Sequence, residues 1–152
     1  MDLRPLVLFL HLLAVVVFMA GYIATNACTE FARHATNDDD RRAALAFSNR
    51  FDRLGAQYGG TGVIVTGIAA FLAYGYQVSA PWLIASSALF VGLPLLGILY
   101  WAPLARSIDA AEARGDGDEA QRLLTRPGTV ALSRIENVAV VAIIALMVFR
   151  PG

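Results

Sequence analysis

The stretch LVLFLHLLAVVVFMAGYIAT, residues 6–25, decides the fold class of this protein. It is apolar along its length and is interrupted only by His11. Twenty residues of α-helix rise about 30 Å, which is the thickness of the hydrocarbon layer of a bilayer. The apolar run is also longer than that of a typical signal peptide, so we expect a retained membrane-spanning helix.

The composition of the whole chain supports a membrane protein. Of its 152 residues, 57% are hydrophobic and 16% are charged, whereas soluble domains carry about 45–50% apolar and about 25% charged residues. Twelve basic and twelve acidic residues cancel, so no net field attracts nucleic acid, and the expected partner is the lipid bilayer. Every basic residue is Arg, and the single cysteine, Cys28, excludes an internal disulfide.

Three further stretches have the length and hydropathy of membrane spans. Together with the first they predict one transmembrane domain over residues 1–152, whose spans cover residues of about 5–25, 58–76, 82–101 and 130–149. Aromatic residues lie at several span ends, as is typical of the membrane–water interface.

The arginines predict the orientation of these spans. Five arginines lie between spans one and two and four lie between spans three and four, which makes nine on one side, whereas the other side has only Arg4 and Arg150. Because positively charged connections stay in the cytoplasm, we expect both chain termini to lie outside it, and we expect the membrane to be the bacterial cytoplasmic membrane.

The two long connections have helical features. Asn37 followed by three aspartates is typical of a helix N-cap and first turn, and span three continues as a helix up to Gly115. A short helix is expected over residues 118–125. The predicted fold is therefore an all-α integral membrane protein, a four-helix up-down bundle with helical cytoplasmic extensions.

Small residues and one proline predict how the spans pack. The second span is rich in glycine, which allows helices to approach closely and favours self-association of this protein through that helix. Pro94 lies in the middle of span three, where we expect it to kink the helix and free a carbonyl near Phe90.

Polar residues of the first span fall on one side of the helix. At 100° per residue His11, Tyr22 and Asn26 lie within about 60° of one another, so this face is expected to turn away from lipid. Two interpretations stay open: polar contacts between helices, or the lining of a pocket for a ligand.

His11 is the candidate ligand of a metal or of haem iron, or a proton relay. It lies about 8 Å inside the outer boundary of the membrane. Tyr22 and Met147 are the other candidates for the lining of a haem or lipophile pocket, and Met147 lies on the same predicted side as His11. Alternatively, the imidazole only donates a hydrogen bond to a neighbouring helix.

Span four carries Arg134, Glu136 and Asn137 near its inner end. Arg134 is long enough to reach the interface. Glu136 is expected either to pair with an arginine of another helix, Arg53 or Arg106, or to handle a proton or cation. With Asn26, these three residues form the predicted set of structural polar groups.

Short motifs resemble known families. The residues FLHLL at 9–13, with Gly21 ten residues after the histidine, resemble the first helix of the copper-resistance D and HemJ-type protoporphyrinogen oxidase group. That resemblance implies haem b held by His11, together with oxidase activity or copper handling. The segments 81–83, 101–104 and 146–151 are similar to an uncharacterised family of predicted integral membrane proteins.

Two function classes follow from these patterns. The first is a non-catalytic membrane protein, either an accessory subunit of a larger complex or a homo-oligomeric membrane protein or transporter. The second is a redox or binding module that holds haem b or another lipophilic cofactor beside His11. Because no nucleophile with an adjacent base and no phosphate-binding loop occurs in the sequence, no catalytic residue is predicted.

Overall fold

A computed structural model describes residues 2–77 and 79–149. These residues form helices and contain no β-strand. Four continuous helices are long and apolar enough to cross a membrane: Arg4–His34, Asp38–Tyr74, Pro81–Ala113 and Pro127–Phe149. The prediction of an all-α membrane protein is confirmed.

The chain divides into two compact units, residues 1–76 and 77–152. The first unit contains α1 (Arg4–His34), α2 (Asp38–Asp52) and α3 (Gly60–Tyr74), and a π-helical segment, Arg53–Gly59, joins α2 to α3 without a break. Helix α1 packs against α2, the π-helical segment and α3.

Local chemistry explains the ends of the helices in the first unit. The Asn37 side chain accepts a hydrogen bond from the backbone N–H of Asp40 at 2.8 Å, so the predicted N-cap of α2 is confirmed. Helix α3 ends at Gly75, which has a φ of 65°. Glycine suits this position because left-handed backbone places the Cβ of other residues too close to the next carbonyl.

The second unit contains α4 (Pro81–Leu96), α5 (Ala102–Ala113), α6 (Gly117–Thr125) and α7 (Pro127–Phe149). A second π-helical segment, Gly97–Trp101, joins α4 to α5. Helix α4 packs along α7, and α6 packs against α5.

A tight turn separates α5 from α6. Gly115 adopts a φ of 73°, and the Asp116 side chain accepts a hydrogen bond from the N–H of Glu119 at 3.1 Å. The short helix expected over residues 118–125 is present and begins one residue earlier. The helical extensions predicted on both connections are therefore confirmed.

The two π-helical segments were not predicted. One lies at the start of the predicted second span and the other at the end of the predicted third span. Pro94 lies inside α4, three residues before the second π segment. A π turn accommodates one extra residue, which leaves the apolar composition of a span unchanged, so hydropathy does not reveal it.

The apolar side chains of the four long helices mostly point outward. Only 6–17% of the most apolar part of each helix is buried inside the protein. Leu72 and Leu99, for example, are more than 70% exposed. A soluble protein does not leave such continuous apolar surface in water, so lipid is the natural surrounding of these faces.

Candidate functional site

Helix α1 and the first π-helical segment, Arg53–Gly59, make contact through their backbones. A Cβ atom built on Gly21 would lie 2.3 Å from the Cα of Gly55, and one built on Gly55 would lie 2.8 Å from the Cα of Gly21. Real Cβ atoms do not approach other atoms this closely. Both positions therefore require glycine for the observed distance between the helices.

The close contact extends in both directions along an antiparallel pair of helices. Gly59 faces the backbone of Phe18, with 2.7 Å between its built Cβ and the Phe18 Cα, and Gly62 faces the Ala14 methyl group at 3.2 Å. We call the resulting line of contacts the glycine seam; it comprises Ala14, Phe18, Gly21, Gly55, Gly59 and Gly62.

The seam changes the predicted role of the glycine-rich second span. These glycines were expected to mediate self-association. In the structure they contact α1 of the same chain. This face is therefore occupied by α1 within the first unit, and self-association of the protein through the second span stays a prediction.

His11 continues the seam toward the N-terminus of α1. Its Nδ1 is 3.1 Å from the Thr66 hydroxyl, and a Cβ on the neighbouring Gly67 would lie 3.3 Å from the imidazole Cε1. Gly67 thus leaves space for the imidazole ring between the two helices. The ring itself is partly exposed.

The hydrogen bonds around Thr66 define the protonated nitrogen of His11. The Thr66 hydroxyl donates its one proton to the carbonyl of Gly62, at 2.6 Å. Its oxygen can therefore only accept from the imidazole, so Nδ1 carries the proton. Nε2 is left with a lone pair, which is the state that binds a metal or haem iron.

Tyr22 lies far from His11 on the same helix. Eleven residues of helix separate the two positions by about 16 Å along the axis. The Tyr22 ring stacks on Phe18, with 6.3 Å between ring centroids, and its backbone carbonyl accepts from the Asn26 side chain at 2.9 Å. The structure therefore does not bring Tyr22 and His11 into one small pocket.

Two threonines and a serine extend the contact beyond the seam, toward the C-terminus of α1. The hydroxyls of Thr29 and Ser48 are 3.0 Å apart, and the Ser48 hydroxyl also donates to the carbonyl of Thr25 at 3.4 Å. Ser48 is 7% exposed. Sequence reasoning missed it, although it lies seven residues before Gly55 and so on nearly the same side of the helix.

Glu136 has a partner that the sequence analysis did not propose. The indole N–H of Trp101 donates to its carboxylate at 2.7 Å. The neighbouring Tyr100 hydroxyl lies 3.0 Å from that of Thr129, which in turn donates to the Leu123 carbonyl. Both aromatic residues belong to the second π segment, so this segment contacts α7 through two polar contacts. The pairing of Glu136 with an arginine stays a prediction.

The remaining candidates lie in the second unit. Arg134 and Asn137 are exposed on α7, and Met147 is partly exposed near its end. Arg150, used above for the orientation, and the last residues of the segment 146–151 lie outside the described residues. Within the described part of the chain, no group of three His, Cys, Asp or Glu side chains is placed to hold a metal ion.

Comparison with known proteins identifies the family. The sequence model of a family described as "Predicted integral membrane protein (DUF2269)" matches residues 5–151. No curated protein and no solved structure matches the chain significantly.

Proposed function

Because the chain belongs to the DUF2269 family of integral membrane proteins, we propose that it is a non-catalytic membrane protein that acts as an accessory subunit of a larger complex. One observation carries this proposal. The most polar side chain of the first span, His11, is hydrogen-bonded inside the contact between α1 and α3. This hydrogen bond fixes the two helices relative to each other.

The other polar groups of the first unit support the same role. Thr25 and Thr29 each bond to Ser48 across the contact between α1 and α2. Asn26 bonds to its own helix. Membrane helices associate through small residues and such interhelical hydrogen bonds, and a unit built in this way presents a fixed apolar surface to lipid or to a neighbouring subunit.

The proposal includes an orientation and a membrane. Nine arginines in the two long connections against two on the opposite side support a cytoplasmic location of the connections. Both termini then lie outside the cytoplasm of a bacterial cell. To test this, Cys28 is replaced by serine, and a single cysteine is then introduced at position 36 or at position 116. A membrane-impermeant maleimide applied to intact cells should label neither cysteine.

An optical and hydrodynamic measurement tests the accessory role. The purified chain in detergent should be colourless, should fold without added haemin and should show no Soret band after haemin is added. Light scattering then gives its stoichiometry: a single copy per micelle agrees with a subunit that needs a partner, and a defined oligomer indicates the homo-oligomeric membrane protein. A stoichiometric coloured cofactor would contradict the proposal.

A second candidate function, cofactor binding, is supported by the unprotonated Nε2 of His11. Nε2 has a lone pair, and the ring is only partly buried, so a haem b or another lipophilic cofactor has access to a ligating atom. The resemblance to the HemJ-type group favours haem, although the membrane lysine expected beside the histidine in that group has no counterpart, since the chain has no lysine.

Two His11 variants separate these functions. If haem is bound, His11→Ala removes the Soret band. Thr66→Val leaves the band in place, because it removes only the hydroxyl that accepts the Nδ1 proton and not the ligating Nε2. If His11 is structural, both variants lower the thermal stability in detergent, and neither changes the visible spectrum.

A further inference from the structure

A cavity of about 530 Å³ lies where α6 ends and α7 begins. It is lined by Arg122, Leu123, Thr125, Arg126 and Pro127. It is an open surface cavity: Arg122, Thr125, Arg126 and Pro127 are exposed, and two of the five lining residues are arginines. It shares no residue with the glycine seam and plays no part in the function proposed above.

The lining chemistry suits a phosphoryl group. The Thr125 hydroxyl already donates to the Gln121 carbonyl at 2.8 Å, so the remaining side-chain donors among the lining residues are the two guanidinium groups. Each guanidinium has five N–H groups in a planar fork that matches two oxygens of a phosphate. The Arg126 side chain has no hydrogen bond or ion pair within the part of the chain that the structure describes.

The position of the cavity relative to the membrane indicates the source of that group. Arg126 lies four residues before the predicted start of the fourth span at residue 130, which corresponds to about 6 Å along a helix. The polar headgroup layer of a bilayer extends about 5–7 Å beyond the hydrocarbon on each side. The cavity is therefore at the depth of the lipid phosphates.

We propose that this cavity is a binding site for the phosphoryl headgroup of an anionic phospholipid, held by Arg122 and Arg126. Arg122 currently pairs with Glu119, at 2.7 Å between Nη2 and Oε2, on the exposed surface. An exposed ion pair of this kind is weak. A lipid phosphate therefore competes with the Glu119 carboxylate for Arg122, while Arg126 is ready to bind.

Native mass spectrometry of the full chain in a non-ionic detergent tests the site. Dioleoyl-phosphatidylglycerol should bind with one tight site per chain, and dioleoyl-phosphatidylcholine should bind at least tenfold more weakly. Arg126→Gln should weaken phosphatidylglycerol binding about tenfold, as expected for the loss of charge-assisted hydrogen bonds. Glu119→Gln should strengthen it about two- to threefold, because the competing carboxylate is removed.

A matched control distinguishes binding in the cavity from general attraction of lipid to the arginines on this side of the membrane. Arg114→Gln removes the same charge from an exposed arginine at the end of α5, outside the cavity, and should leave lipid binding unchanged. Equal weakening by Arg114→Gln and Arg126→Gln, or equal binding of the two lipids, would overturn the proposal.

A competition measurement identifies the source of the phosphoryl group. Inorganic phosphate at millimolar concentration should not displace phosphatidylglycerol if the site is formed for a lipid. Displacement by inorganic phosphate that depends on Arg126 would assign the site to a free phosphate and overturn the lipid assignment.

Discussion

The two units pair their helices in different ways. In the first unit, α1 and the first π segment meet backbone to backbone, and a Cβ atom on Gly21 would lie 2.3 Å from the Cα of Gly55. In the second unit, Gly92 and Gly97 have nothing within 4 Å of a built Cβ. There, α7 is contacted by polar side chains of the second π segment, through Trp101 and Tyr100.

The difference shows two solutions to one physical problem. Lipid is as apolar as leucine, so burial of apolar surface does not drive helices together inside a bilayer. The first unit compensates with dense van der Waals contact, which requires glycine at the crossing. The second unit adds hydrogen bonds between aromatic and polar side chains to the packing of α4 along α7, and Gly92 and Gly97 are not needed for helix contact.

The largest expected effect is a steric clash in the glycine seam. Gly21→Ala places a methyl group against the Gly55 backbone, which cannot move aside as a flexible side chain can. The helices must separate, and we expect a loss of about 3 kcal/mol in the free energy of unfolding, at the upper end of overpacking effects. Thermal unfolding in detergent, followed by circular dichroism, measures it.

Gly92→Ala is the matched control for this change. A Cβ at Gly92 meets no atom within 4 Å, and alanine favours the helix by up to about 1 kcal/mol relative to glycine. The control should be as stable as the parent protein or slightly more stable. If the two variants were equally stable, the contrast between the units would be wrong.

The second prediction concerns the polar contact of the second unit. Trp101→Phe keeps an aromatic ring but removes the N–H that Glu136 accepts. We expect a loss of about 1 kcal/mol, in the range of interhelical hydrogen bonds measured inside membranes. Urea or thermal unfolding in detergent gives the value.

A double-mutant cycle assigns this loss to the Trp101–Glu136 pair. Glu136→Leu in the Trp101→Phe background should cost less than Glu136→Leu in the parent protein, with a coupling energy of about 1 kcal/mol. Strict additivity would show that the two side chains stabilise the unit independently, and that the hydrogen bond contributes nothing.

The local features of the fold could be predicted from the sequence. Spans, caps and turns depend on neighbouring residues only, so hydropathy located the four long helices, and Asn37 and Gly115 marked a helix start and a helix end. The π segments were missed because one extra residue in a helix changes neither its composition nor its caps.

The choice of partners could not be predicted in the same way. The sequence shows that one face of the second span is rich in small residues, but the same face suits a helix of the same chain or of another copy. Likewise, Glu136 requires a donor, and its contact with Trp101 depends on how the π segment rotates the aromatic ring toward α7. Helix rotation is a tertiary property, and no local pattern encodes it.

The smallest expected effect lies at His11, where the backbone contact of the first unit meets a polar contact like those of the second. Thr66→Val keeps the shape of the side chain and removes the oxygen that accepts from Nδ1. Because the imidazole ring is partly exposed, we expect a loss of only about 0.6 kcal/mol, the average for interhelical hydrogen bonds in a membrane protein. Thr61→Val is the control on the same helix, since the Thr61 hydroxyl has no partner among the described residues. A Thr66→Val loss as large as that of Gly21→Ala would show that hydrogen bonding, and not backbone contact, holds α1 against α3.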